Sequence, residues 1–158
     1  MLSSIDLDFQ KIKKKIYYVD GSLRDIYIHN TSKEDWQVWA DFVNENYKIS
    51  FHIYETKVNE DNVNLSKIFD YWCGVHDNCS TATIYIGDIQ VNAHFFDDQE
   101  IENDISPKEI KSIEDHNQLL GYMVGLSNVL NKKVIMTPEN EPNMILISVD
   151  KGKIFIKN

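Results

Sequence analysis

The chain has 158 residues, 42% of them hydrophobic, and a formal net charge of −9 at pH 7. That length suits one domain with an ordinary core, and that apolar content excludes a disordered chain. Such acidity disfavours nucleic acid and anionic membranes as partners, and no apolar run approaches the ~20 residues of a membrane helix.

Residues 1–14 read as a polar arm, flexible or peripheral, on a single domain spanning 1–158. The opening "MLSSIDLDFQKIKKK" carries Asp6 and Asp8 and places its lysines after the only apolar patch, the wrong order for a signal peptide. The expected compartment is therefore the cytoplasm, with Cys73 and Cys79 as thiols. "KIYYVDGSLRDIYIHN" predicts two strands around the tight-turn dipeptide Asp20-Gly21. "TSKEDWQVWADFVNEN" predicts a helix: Thr31 and Glu34 have capping-box spacing, and Trp36, Trp39, Phe42 and Val43 share a face. "YKISFHIYETKV" alternates as a half-buried strand, and "NLSKIFDYW" predicts a short helix.

"TATIYIGDIQVNAHFF" predicts a hairpin turning at Gly87-Asp88, and "EIENDI" a further strand. Ser106-Pro107 opens a helical stretch to about Leu130, one helix or two, since Asp115 offers a second cap. Within it, Gly121-x-x-x-Gly125 permits close packing or marks an irregular turn. "KKVIMT", "MILISVD" and "KIFIK" close the chain as strands, the last two turned by Lys151-Gly152. Runs of strands without regular crossovers predict α+β: a mainly antiparallel sheet with two or three helices packed on one side.

Charge is the most informative functional signal. From Ile68 to Pro107 there is no lysine or arginine, while eight carboxylates fall there. The stretch "HFFDDQEIENDI" holds Asp97, Asp98, Glu100, Glu102 and Asp104 beside His94, Phe95 and Phe96. As a partner-binding surface, the carboxylates would complement lysine or arginine and the phenylalanines would supply anchors. As a metal site, Asp97, Asp98, Glu100 and Glu102 would ligate a hard cation, with His94 completing a transition-metal set. A strand, however, spaces Asp98, Glu100, Glu102 and Asp104 roughly 6.6 Å apart in a row, where a cage needs convergence. A solvated strand face is the third reading.

Cys73-x-x-His76-x-x-Cys79 groups three soft ligands, but zinc would need a fourth, such as His94. A disulfide, a Cys-His nucleophile and a plain loop with two thiols are the other readings. Arg24 falls on the isoleucine side of its strand, where its stem would pack and its head would meet an acid at the rim. Trp36, Trp39 and Phe42 read as core, "TPENEP" as a rigid acidic turn, and no phosphate loop or nucleophile-elbow pattern occurs.

The stretches "YVDGSLRDIYIHNTSKEDWQ" and "LNKKVIMTPENEP", about a fifth of the chain, resemble small bacterial proteins of the immunity type. Such proteins accompany polymorphic or contact-dependent growth-inhibition toxins. The resemblance implies a cytosolic binder that blocks a toxin domain, and it carries over no functional residues. The charge pattern leads separately to the same class, because domains that cleave nucleic acid need basic surfaces that an acidic protein can occupy. The expectation is a non-enzymatic acidic binder of a basic toxin domain, with no cofactor. The alternatives are a metal-assisted hydrolase using His94, Asp97, Asp98 or Glu100, and a structural subunit of a larger assembly.

Overall fold

A computed structural model describes residues 4–75 and 77–158, with side chains in the first helix from Asp8 on. Four α-helices are found among the described residues: α1 Ser4–Lys15, α2 Lys33–Asn46, α3 Leu65–Trp72 and α4 Ile113–Leu130. Nine strands of the described residues form one antiparallel sheet: β1 Arg24–His29, β2 Lys48–Ile53, β3 Val58–Glu60, β4 Thr81–Ile86, β5 Ile89–His94, β6 Glu100–Ile105, β7 Val134–Pro138, β8 Ile147–Asp150 and β9 Lys153–Ile156. Their order across the sheet is β3-β2-β4-β5-β6-β1-β7-β8-β9. The architecture is the expected α+β single domain.

Alternation along each strand separates two faces. Ile26, Ile28, Ile49, Phe51, Ile84, Val91, Ala93, Ile101, Val134 and Met136 are all buried in one core with Trp36, Trp39, Leu119, Tyr122 and Leu126 of the helices. Helices α2 and α4 pack on each other and on this inner face; α3 rests on α2 and α1 on α4. Gly125 lets the two central helices approach, since a Cβ there would stand 2.5 Å from the Phe42 ring. Gly121 has open space around it, so of the two glycines only Gly125 permits close packing.

Several local expectations need correction. Residues 4–14 are helix, not arm, although residues 1–3 lie outside the described set. Phe9, Ile12 and Ile16 recur on one helical face and pack into the core, while Lys13, Lys14 and Lys15 occupy the last turn, where cations suit the helix dipole. The first predicted hairpin keeps only one strand. β1 is flanked by β6 and β7 and has no free edge, while Ile16 and Tyr17 finish α1 by bonding back to Ile12 and Lys13.

The helix cap lies one residue later than the spacing suggested: Ser32 and Asp35 form the capping box of α2. Thr31 is diverted to the loop before β6, donating its hydroxyl to the Asp98 carbonyl at 2.7 Å and its N–H to Gln99 at 3.0 Å. "YKISFHIYETKV" is a hairpin, with Lys57 at φ +57° turning β2 into β3. Ser106-Pro107 opens only a 3-10 turn, Pro107–Glu109, and α4 has its own cap, Ser112, accepting from the Asp115 N–H.

Candidate functional site

The acidic segment crosses the middle of the sheet, where Ile101 and Ile105 of β6 face the core and alternation turns Glu100, Glu102 and Asp104 to the opposite face. Antiparallel pairing places Asp25 opposite Asp104 and Tyr27 opposite Glu102, while His29 faces Glu100. On the other side of β6, Asn92 stands opposite Asp104 and His94 opposite Glu102. Two strands thus bring Asp25, Glu102 and Asp104 together, and a third adds Asn92 and His94, although like charges directly across a ladder repel.

The arrangement persists because each acid has a partner. His94 Nε2 lies 2.5 Å from Asp104 Oδ2, and Asn92 Nδ2 donates to Asp104 Oδ1 at 3.0 Å. The Tyr27 hydroxyl donates to Asp25 Oδ2 at 3.0 Å, and the Asn140 N–H reaches the same oxygen at 3.2 Å. Glu100 pairs with His29 at 2.9 Å on the exposed margin, where the His29 ring stacks on Tyr27.

Protonation follows these contacts. The hydrogen bond to Asp104 raises His94 above its ordinary 6.5 against the opposing effect of burial, and the Asp104, Glu102 and Asp25 charges add to the rise. Burial works to raise Asp104, but the His94 and Asn92 hydrogen bonds outweigh it and hold the carboxyl below its ordinary range. Asp25 is raised chiefly by burial, against its Asn140 and Tyr27 hydrogen bonds, with Asp104 and Glu139 charges adding. Glu102 is likewise raised, first by burial and then by the Asp25 and Glu100 charges, with Tyr27 and His94 opposing.

The expected site residues separate into three environments. Glu100, Glu102 and Asp104 line one face of β6, from a half-exposed Glu100 to a nearly buried Asp104. Asp97 and Asp98 lie in the loop before it; the Asp97 carboxylate accepts the Gln99 N–H at 2.8 Å, fixing a local turn. Phe96 is 69% exposed and stacks on His94, rings 5.4 Å apart and 5° from parallel. Phe95 corrects the expectation of a surface anchor. It is 2% exposed and packs against Trp36, Trp39 and Phe51, continuing the inward register of Val91 and Ala93.

The cluster suggested for a metal does not assemble. His94 turns to Asp104, Glu100 to His29 and Asp97 to its own loop, so these ligands do not converge. Among the described residues no group of three or more His, Cys, Asp or Glu is placed to hold an ion. Of the Cys73/His76/Cys79 set, His76 lies outside the described residues. Cys73 is exposed and free. Cys79 is free and half-buried, donating to the Phe95 carbonyl, and burial pushes its thiol up to about 11.

Arg24 also departs from expectation. It is 0% exposed, and its guanidinium is satisfied by the carbonyls of Ile16, Tyr18 and Leu23 and by Ser22 Oγ, with Tyr18 stacked 4.0 Å away. Main-chain acceptors, not a carboxylate, hold the charge. The residues that sequence reasoning missed are Asp25, Tyr27, His29 and Asn92. Strand alternation put Asp25 and Tyr27 on one face, but their pairing with β6 is a tertiary fact.

No helix among the described residues is long and apolar enough to cross a membrane. Comparison of the chain with protein-family models, with curated proteins and with solved structures finds no match.

Proposed function

We propose that the protein is a non-enzymatic binder that uses its outer sheet face to take a basic protein, as an immunity protein neutralising a basic, nuclease-type toxin domain in the cytoplasm. The observation that carries this reading is the placement of the cation-free segment. Five of its eight carboxylates, Asp97, Asp98, Glu100, Glu102 and Asp104, lie on the sheet face turned away from α2 and α4 and on the loop beside it, around a hydrogen-bonded centre. A preformed acidic surface speeds encounter with a basic partner and limits the ordering cost of binding. Glu100, Glu102, Asp97 and Asp98 are the groups exposed enough to meet lysine or arginine, and Asp104 supports them through His94.

The test is capture from the protein's own cell lysate, followed by co-expression with the captured partner. The expected result is one basic protein retained near one-to-one, released by moderate salt, and made harmless to the cell by the wild-type chain. Neutralising Asp97, Asp98 and Glu100 together should abolish retention and protection. Unchanged retention by that triple variant would sink the assignment of the acidic face.

A further inference from the structure

We propose that the recess between α3 and the β5–β6 loop is a receptor for one cationic side chain, arginine in preference to lysine, held between aromatic rings and two carboxylates. The inference rests on the reading of this protein as a binder of basic partners and supplies that reading with an anchor. The recess, about 400 Å³, is lined by Tyr71, Trp72, Phe96, Asp97, Asp98 and Lys33. Rings and acids around a cavity of this size match a planar cation, which stacks on π faces and meets carboxylates through a fork of N–H donors.

The walls are fixed in advance. Trp72 spends its Nε1–H on the Phe95 carbonyl at 2.9 Å and packs against Trp36 and Phe69, so it offers ring surface to a guest. Phe96 is the most exposed large apolar side chain among the described residues, yet it does not hang free. His94 supports one side of its ring, and His94 does not line the recess. The Asp97-Asp98 loop is pinned from below by Thr31 and from within by the Asp97 turn. An exposed phenylalanine costs free energy in water, and here its rim is acidic, so charge complementarity selects a cation over an apolar guest.

Lys33 gives an independent sign of what the surroundings accept. Its ammonium stands 5.6 Å over the ring of Phe69, the neighbour of Trp72. One cation already rests on this aromatic group, and it sits at the edge of the recess as a competitor to an incoming one.

The experiment titrates N-acetyl-arginine amide into the full-length, ¹⁵N-labelled protein and follows the Trp72 indole N–H, assigned by Trp72→Phe. The neutral isostere N-acetyl-citrulline amide is the control. A saturable arginine shift with Kd on the order of millimolar is expected, at least fivefold tighter than citrulline. Phe96→Ala and Asp97→Asn/Asp98→Asn should each weaken it severalfold, and Lys33→Gln should tighten it. No shift at Trp72, equal shifts from citrulline, or indifference to all three variants would overturn the receptor. If the receptor fails while lysate capture still depends on Glu100 and Glu102, the broader reading survives alone. If arginine binds as described while no basic protein is captured, the receptor stands and the immunity reading falls.

Discussion

The His94–Asp104 pair offers the sharpest physical test of the site. His94→Gln and Asp104→Asn, alone and together, form a double-mutant cycle that isolates their coupling. At an effective dielectric of about 20, two charges roughly 4 Å apart attract by about 4 kcal/mol gross. Both groups keep some solvent contact, with side chains 34% and 12% exposed, so desolvation and screening leave about 1–2 kcal/mol net. His94 is raised in the fold, so its contribution is complete below its ordinary 6.5 and fades as pH climbs through the raised value. Asp104 is depressed, so its contribution is complete above its ordinary 3.8 and fades as pH falls through the depressed value. The coupling should therefore be largest between those limits. Urea melts of all four proteins at pH 5.5 should give about 1–2 kcal/mol, falling to half or less at pH 9 as the imidazole loses its charge. A coupling that is equal at both pH values, or under about 0.3 kcal/mol at pH 5.5, would refute the charged-pair description.

Other outcomes follow from the same structure. Glu102→Gln should raise stability at pH 7 by about 0.5–1 kcal/mol, because a carboxylate whose pKa is raised in the fold loses stability as pH rises past its ordinary 4.5. The gain should shrink toward pH 4, as melts at the two pH values would reveal, and salt-sensitive retention of a basic partner should weaken. Arg24→Met should cost about 3–5 kcal/mol in urea melts, since it strips buried carbonyls of their donors, and Arg24→Lys should recover only part. Gly121→Ala should stabilise α4 by up to about 1 kcal/mol, whereas Gly125→Ala should fall clearly below it because of Phe42. Mass spectrometry after brief iodoacetamide treatment at pH 7.5 should find label on Cys73 and little on Cys79, whose thiol is pushed up to about 11.

What was legible in the sequence was local. The β4–β5 hairpin, β6 and the β8–β9 turn at Lys151-Gly152 follow from alternation and turn chemistry, and both turn residues have positive φ. The α+β class followed from the order of such elements. Helix α1 was not legible as packed structure, because the core that buries Phe9 includes α4, which α1 meets only across more than a hundred residues of chain. The site divides the same way. The acids of β6 stood out in composition, but Asp25, Tyr27 and His29 join them only through the β1–β6 ladder. Phe95 could have been placed inward by extending the register of Val91 and Ala93.

The position of β1 between β6 and β7 also sets a timetable. Arg24–His29 emerges early from the ribosome, yet its hydrogen-bonding neighbours are Glu100–Ile105 and Val134–Pro138. At a synthesis rate of about 5–20 residues per second, β1 waits several seconds for its second neighbour. The acidic cluster cannot exist before Glu100–Ile105 is made, and one edge of β1 stays open until Val134–Pro138 follows. Local hairpins such as β4–β5 can form in about 1–10 μs, whereas the middle of the sheet depends on contacts of high sequence separation, which slow folding. The acidic cluster is thus a product of long-range pairing, absent from any piece of the chain that stops short of β6.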